Sequence, residues 1–235
     1  MLGTLFFVRY GLKVEKQKLK MVHEMSDKII IRNQYSHRIS TVKKSNGHSI
    51  LRIIAYINAR KLSNNLTGQE HNFSNKSGVI ETGFYMPHGI KTDMTEEQFY
   101  NHIENNSHAS TNIIAYSSIA ALPPEISKEE QLKLVEEFCN IFTEQYGTSI
   151  SFAIHEADNL MRKKAKLAEI EKYNLPVDDE DLRLQIQNNH VHFVIPYCKI
   201  EPMTEQDLKA KRKKKSFGDT FKLGNQVKDF NPIKY

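Results

Sequence analysis

The sequence has little cysteine and no long apolar run. Its two cysteines, Cys139 and Cys198, are far apart, which is typical of a reducing compartment and not of a disulfide-stabilised scaffold. No stretch approaches the roughly 18 apolar residues that a membrane-spanning helix needs. The apolar residues 5–8 are too few for the core of a signal peptide. These features together predict a cytoplasmic protein without membrane insertion. The sequence also contains no internal repeat.

Basic residues outnumber acidic ones, 33 to 28, which gives the 235-residue chain a formal net charge of +5. They form clusters at Lys43 and Lys44, at Arg60 and Lys61, and at residues 209–215. Clusters of this kind favour a polyanionic partner, because binding to it releases condensed counter-ions. The charge distribution therefore suits a polyanionic partner, although a basic run such as 209–215 is more often a solvated tail.

Two histidines lie two residues apart in an alternating apolar run near the end of the chain. His190 and His192 would share one face of a strand, while Val191 and Phe193 point into a core. His155 ends a second alternating run at residues 149–155. If the two strands pair, three imidazoles converge on one divalent ion and leave coordination positions open for substrate. Each histidine taken alone is more often a packed or surface residue.

Residues 49–62 have the periodicity of an amphipathic helix. An apolar stripe follows the i, i+3, i+4, i+7 spacing, and Tyr56 falls off that stripe. Arg52 and Arg60 lie with it on the polar face. A tyrosine on a basic face is usually a rim residue, but this is also how a nucleophilic hydroxyl would be presented to a phosphate.

Four stretches in this order resemble the MobA/MobL mobilisation relaxases, which belong to the His-hydrophobic-His class of single-strand DNA endonucleases. The stretches cover about residues 28–200. The first is a strand at residues 28–34 with a basic loop before the helix of Tyr56, and the second is a Gly-Val strand at 77–87. The third is an Ala-Leu-Pro segment at 121–126 followed by a helix at 128–146. The fourth consists of the two histidine strands.

This resemblance implies that Tyr56 attacks a DNA phosphate and forms a 5′-phosphotyrosyl link. It also implies that His155, His190 and His192 bind the metal. A phenol is almost entirely protonated at pH 7, so Arg52 and Arg60 are expected to favour the phenolate. Mn or Mg is the expected ion, and Zn, Co or Ni also suits three histidines.

The implied substrate is single-stranded or hairpin DNA at a transfer origin. Accessory mobilisation proteins and a secretion coupling protein are possible further partners. Four residues are predicted to contact the DNA, three lysines near the Tyr56 helix and the asparagine before His190: Lys43, Lys44, Lys61 and Asn189.

Two features depart from the family pattern. Members commonly carry a carboxylate just before the Ala-Leu-Pro segment, where this chain has serine, isoleucine and alanine at 117–120. Glu81 is the nearest substitute and is predicted to act as base or metal partner. A charged insertion at residues 156–187 separates His155 from His190, with a predicted helix at 161–173 and an acidic run at 178–181. A hairpin tolerates such an insertion, since loop closure costs only logarithmically with length.

The order of elements predicts an α+β fold. A central antiparallel sheet would carry the three-histidine metal site, with helices packed on one face and the Tyr56 helix over the metal. We expect a basic N-terminal extension or misassigned start at 1–24, a relaxase-like domain at 25–200, and a basic tail at 201–235. In that tail, Phe221, Phe230 and Tyr235 are candidates to stack on unpaired bases.

The leading functional hypothesis is a metal-dependent DNA relaxase that nicks and rejoins one strand at a transfer origin and so starts plasmid mobilisation. A degenerate relaxase-like protein that binds a DNA hairpin without catalysis is the first alternative. A zinc hydrolase that uses a water nucleophile on the same histidines is the second.

Overall fold

The computed structural model describes residues 37–90, 92–107, 112–156, 160–173, 189–209, 216–217 and 221–227. The strand predicted at residues 28–34 lies outside these ranges. In chain order the elements are β1 (His37–Lys43), a one-turn 3-10 helix (Lys44–Asn46), α1 (Ile50–Ile57), β2 (Lys61–Ser63), β3 (Glu70–Asn72), β4 (Val79–Tyr85), α2 (Glu96–Asn106), β5 (Ile113–Ala121), α3 (Lys128–Tyr146), β6 (Ile150–Glu156), α4 (Leu160–Tyr173), β7 (Asn189–Pro196), β8 (Cys198–Pro202), α5 (Glu205–Lys209), β9 (Ser216–Phe217) and β10 (Phe221–Gln226).

Five strands form the central sheet in the order β1-β5-β7-β6-β4, and every neighbouring pair is antiparallel. The strand that carries His190 and His192 is therefore the middle one, and the strand that carries His155 is its direct neighbour. The α+β class, the antiparallel sheet and the central position of the histidines are confirmed.

Helices cover both faces of this sheet, whereas the sequence predicted them on one. Val194 on β7 packs in a core cluster with residues of α1 and α2. Val191 and Phe193, on the opposite face of the same strand, pack against α3. The middle strand is apolar on both sides beyond His192, and an apolar face has to be covered.

Capping residues set the ends of α3, whose predicted bounds are confirmed. Ser127 accepts a hydrogen bond from the Glu130 backbone N–H, and the Glu130 carboxylate accepts one from the Ser127 N–H. This reciprocal pair is a capping box. Gly147 follows the last turn with φ +61°, a left-handed conformation that glycine adopts without strain.

Two predictions near the N-terminal end of the described chain are corrected. Residues 37–43, expected in a basic loop, form the edge strand β1, because their alternation places Val42 in the core opposite Ala115. The Tyr56 helix ends at Ile57 and does not continue to residue 62. Ala59 takes a positive φ of 49°, which turns the chain into β2.

The C-terminal segment also differs from the predicted tail. Strands β8, β10 and β9 form a second antiparallel sheet. Phe221, a predicted base-stacking residue, is fully buried and lies 6.1 Å from Phe99 between ring centroids. A bulky apolar side chain gains more from burial than from exposure to water. Phe230, Tyr235 and most of the basic run at 209–215 lie outside the described residues.

The insertion after β6 contains α4, as predicted, while its acidic run lies outside the described ranges. Cys139 and Cys198 are both buried free thiols. No helix within the described part of the chain is both long and apolar enough to span a membrane.

Candidate active site

The three predicted metal ligands converge on one face of the central sheet. His155 and His190 are directly paired across β6 and β7, and His192 follows two residues later on the same side. Their ring centroids are 4.6 to 5.5 Å apart. One ring nitrogen from each lies within 4.8 Å of the others, so small rotations bring all three onto one ion. Strand alternation together with direct pairing produces this cluster.

His155 is held by a hydrogen bond to the end of α1. Its Nε2 lies 2.6 Å from the backbone carbonyl oxygen of Ile57, and because a carbonyl only accepts, Nε2 carries the proton. The lone pair is then on Nδ1, which is the ring nitrogen that remains available to a metal ion. Histidines that bind metals characteristically donate their other N–H to a carbonyl or carboxylate in this way.

Burial favours the neutral imidazole of His155 and of His192. Desolvation, followed by the charges of His155, His190 and Lys76, lowers the pKa of His192 to about 3. Desolvation also lowers the pKa of His155, as do Lys76 and His190, while the bond to Ile57 acts in the opposite direction. A metal binds the neutral imidazole, so the donor set fits a divalent ion at neutral pH.

The end of α1 is arranged around this histidine. Arg60 N–H donates to the carbonyl of Ala55 at 2.9 Å and Ala59 N–H to that of Tyr56 at 3.5 Å, which is a Schellman cap. The carbonyl of Ile57 has no helical partner at this position and is satisfied by His155. The last turn of the Tyr56 helix is thus attached to a metal ligand.

Tyr56 is exposed beside the cluster and shares one lysine with it. Its side chain is 47% exposed, and its ring packs edge-on against Phe73 at 5.4 Å. The ammonium of Lys76 lies 3.9 Å from the centre of the Tyr56 ring, 3.1 Å from the Tyr56 carbonyl oxygen and 3.4 Å from Nδ1 of His155. One cation therefore contacts both the candidate nucleophile and a candidate metal ligand.

Two partly buried carboxylates of α2 fix the ends of α1. Glu104 accepts hydrogen bonds from the Ser49 hydroxyl at 3.1 Å and the Leu51 N–H at 3.4 Å. Glu96 accepts from Asn58 at 2.9 Å and from Arg60 at 2.8 Å. Desolvation raises the pKa of Glu96, although Arg60 and Asn58 stabilise its charged form. These bonds hold Tyr56 in a fixed position over the sheet.

The two predicted arginines have different surroundings. Arg52 is exposed on α1 one turn before Tyr56. It lowers the pKa of the buried His71 after the larger effect of desolvation. The guanidinium of Arg60 is ion-paired with Glu96 and stabilises the helix end.

Glu81 lies on the face of the sheet opposite the histidines. It pairs with Ile154, which packs against α3, and directly paired side chains in antiparallel strands share a face. A register shift between Val79 and Glu81 causes this. Val79 is opposite His155, so without the bulge Glu81 would share the histidine face two residues later.

The predicted DNA contacts are mostly engaged elsewhere. Asn189 is buried on the α3 face, where its Nδ2 donates to Gln131 at 2.9 Å. Lys44 donates to the Ser107 carbonyl at 3.1 Å, and Lys61 forms an exposed ion pair with Glu70. Lys43 ends β1.

Sequence reasoning missed Lys76 and Arg38. Lys76 comes just before the recognised Gly-Val strand, but its contacts are long-range and have no local signal. Arg38 falls in the segment before the Tyr56 helix, whose sequence pattern predicts a loop. It pairs with Ile119, which pairs with His192, so the three side chains form a row across the histidine face. Arg38 and Ile119 are exposed, which leaves this part of the face open.

The fold and the site together define a class of protein. It is an antiparallel α+β domain in which three histidines converge beside an exposed tyrosine. Residues 48–232 match the model of the MobA/MobL family. Because the match extends over most of the sequence, the chain belongs to the MobA/MobL family.

Two curated relatives and one solved structure are similar to this chain. "Mobilization protein MobL" of Acidithiobacillus ferridurans is 22% identical over 164 residues, which are 68% of this chain and 42% of that protein. "Probable mobilization protein MobA" of Bifidobacterium longum (strain NCC 2705) is 20% identical over 52% of this chain and 22% of that protein. The chain thus spans less than half the length of either relative.

The structure described as "Molecular Basis of Vancomycin Resistance Transfer in Staphylococcus aureus" superposes with a TM-score of 0.54 and 16% identity. The likeness covers 74% of this chain and 73% of that one. At 16% identity, this likeness supports the assignment of the fold and nothing further.

Proposed function

We propose that this protein is a metal-dependent DNA relaxase that nicks and rejoins one strand through a phosphotyrosyl link to Tyr56. The observation that carries the proposal is the contact of one lysine with both the Tyr56 ring and a histidine of the converging set. Membership of the MobA/MobL family supports it, since the relatives are named mobilization proteins. The substrate is then DNA at a transfer origin.

The transfer step is a displacement at phosphorus. Tyr56 loses its hydroxyl proton and forms a bond from its phenolic oxygen to phosphorus, while the bond from phosphorus to the 3′ oxygen breaks. That oxygen takes up a proton and leaves as a 3′-hydroxyl. The phosphodiester energy is kept in the link to Tyr56, so the reverse attack by a 3′-hydroxyl rejoins the strand without ATP.

The histidines and the helix end supply the positioning. His155, His190 and His192 would hold a divalent ion, which would neutralise the phosphate charge and align it for attack. Since His155 also binds the carbonyl of Ile57, the ligand set and the last turn of the nucleophile helix are oriented together. Fixed geometry of this kind supplies a large part of such a rate enhancement.

The open part of the histidine face is the proposed path of the DNA strand. Helix α1 covers the sheet beside His155, whereas Arg38 and Ile119 are exposed in the row that ends at His192. A guanidinium suits phosphate, and an exposed apolar side chain suits an unstacked base.

The test is a denaturing-gel assay for a covalent protein–DNA adduct. The protein is mixed with Mn²⁺ and with single strands tiled across the DNA that flanks its own gene. Tyr56→Phe is run beside Tyr173→Phe, which changes another exposed tyrosine that also has a lysine over its ring. We expect an adduct with the wild type and with Tyr173→Phe, and none with Tyr56→Phe.

Other outcomes favour other functions. Metal and hairpin binding without an adduct on any strand would favour a DNA-binding protein without catalysis. Cleavage that survives Tyr56→Phe would favour a hydrolase with a water nucleophile on the same histidines.

A further inference from the structure

The side chain of Lys76 lies between the two halves of the candidate site, and neither the family resemblance nor the predicted residues assign it a role. It leaves the turn between β3 and β4, where the Lys76 N–H donates to the Phe73 carbonyl at 2.9 Å. Its ammonium then reaches the Tyr56 carbonyl oxygen, the Tyr56 ring and Nδ1 of His155. All three groups belong to the proposed reaction centre.

The charge of Lys76 has no acidic partner among the residues that the structure describes, whereas Arg60, Lys61 and Lys128 each pair with a glutamate. Lys76 is also half-buried, so water screens it less than it screens an exposed lysine. Within the described part of the chain, the contacts of this partly buried cation are a ring, a carbonyl and an imidazole, an environment that suits an anion from a bound ligand.

The contact with His155 is made to the nitrogen that a metal ion would use. The Nε2 of His155 is occupied by the Ile57 carbonyl, so its only lone pair is on Nδ1, and the Lys76 ammonium donates to it. One lone pair can either accept a hydrogen bond or bind a metal ion, but not both at once. Lys76 and a metal ion are therefore alternatives at this atom, and their charges repel when both are near.

We propose that Lys76 competes with the metal ion for Nδ1 of His155 and, once displaced, binds the phosphate that Tyr56 attacks. This inference rests on the proposed function. An anionic phosphate between the two cations relieves their repulsion, and an ammonium is a strong donor to a phosphate oxygen. The carbonyl and ring of Tyr56 keep the displaced ammonium next to the nucleophile.

The first experiment measures Mn²⁺ affinity by calorimetry without DNA. Lys76→Met keeps an unbranched aliphatic side chain and removes the charge. Lys76→Arg keeps the charge. Lys133→Met is the matched control, since Lys133 is exposed on α3, on the opposite face of the sheet. Thermal unfolding of each variant verifies that it is folded.

We expect Lys76→Met to bind Mn²⁺ roughly tenfold more tightly than the wild type, because a competing positive charge is gone. Lys76→Arg and Lys133→Met should stay within about twofold of the wild type. Affinity of Lys76→Met equal to or weaker than that of a wild type that binds Mn²⁺ overturns this inference alone. No Mn²⁺ binding by any of the proteins overturns the metal site and the inference with it.

The second experiment measures the rate of adduct formation at saturating Mn²⁺ on a strand that the wild type attacks. We expect Lys76→Met to be about 100-fold slower, the usual cost of losing one donor to developing charge, and Lys76→Arg to recover much of the rate. Tighter metal binding with slower transfer is a pair of opposite effects that loss of local structure does not produce. An unchanged rate for Lys76→Met overturns the phosphate contact.

Discussion

The Nε2 of His155 donates a hydrogen bond of 2.6 Å to the carbonyl oxygen of Ile57, which joins strand β6 of the central sheet to the last turn of the Tyr56 helix. The same bond sets the tautomer of a candidate metal ligand and the position of the candidate nucleophile. A substitution at His155 should therefore weaken metal binding and also loosen the end of the Tyr56 helix. Substitutions at His190 and His192 should weaken metal binding only.

The first prediction compares His155→Ala with His190→Ala. Both should weaken Mn²⁺ binding by more than about 100-fold, since the loss of outer-shell partners alone costs up to that. His155→Ala should also lower the free energy of unfolding by about 2 kcal/mol, because it leaves the buried Ile57 carbonyl unpaired. His190 is only half-buried, so His190→Ala should lower the free energy of unfolding by well under about 2 kcal/mol. Urea unfolding of the metal-free proteins measures the difference, and equal losses would contradict the role of the Ile57 bond.

Strand alternation made the histidine cluster predictable, and alternation or its interruption also explains why two other predicted site residues lie away from that cluster. The rule that places His190 and His192 together places Asn189 on the other face, where it bonds to Gln131. For Glu81 the alternation is broken by a bulge in β4, and a bulge arises from three-dimensional pairing without a distinct local signal. The contacts of Lys76 depend on how the loop after β3 folds back onto α1, which periodicity does not describe.

The second prediction concerns Arg60, which was expected to favour the Tyr56 phenolate and is instead ion-paired with the buried Glu96. Arg60→Met should lower the free energy of unfolding by about 2 kcal/mol, because a buried carboxylate loses its charged donor. Glu96→Gln in the same chain should recover about half of that loss, since a neutral amide tolerates the site. Urea unfolding of the wild type, the two single variants and the double variant gives the coupling free energy between Arg60 and Glu96. Additive effects would show that the pair is not energetically linked.

The third prediction is the pH dependence of stability in the metal-free protein. The pKa of His192 is lowered to about 3 and that of His155 is also lowered, both first by desolvation. The unfolded chain therefore takes up protons that the folded one does not as the pH falls below about 6.5, and stability is lost in that direction. The loss should reach at most about 1.4 kcal/mol per pH unit for each histidine.

Urea unfolding at several values between pH 7 and pH 5, with a chelator present, measures this slope. His192→Gln should flatten it, whereas the control His88→Gln changes an exposed histidine outside the cluster and should leave it as in the wild type. A slope that His192→Gln does not alter would exclude His192 as its source.

The fourth prediction uses the cap of α1. Ala59 has a φ of 49° at the position where a Schellman cap favours glycine. Ala59→Gly should raise the free energy of unfolding by about 0.5 to 1 kcal/mol, because relief of the left-handed strain exceeds the entropy gained by the unfolded chain. The matched control Ala55→Gly, in the buried interior of the same helix, should lower it by about 1 kcal/mol. Destabilisation by both would mean that Ala59 is not strained.

The fifth prediction tests whether the C-terminal segment belongs to the folded domain. Phe221 on β10 is fully buried and packs near Phe99 of α2, so Phe221→Ala should lower the free energy of unfolding by about 3 to 5 kcal/mol. Leu208 on α5 is 47% exposed, and Leu208→Ala removes apolar atoms from the same segment with a loss of under about 1 kcal/mol. If Phe221→Ala were as mild as Leu208→Ala, β10 would not be part of the core. A large loss would instead show that the sheet carrying the histidines depends on residues beyond 200, because Phe221 belongs to one core cluster with residues of α2 and of the helix that presents Tyr56.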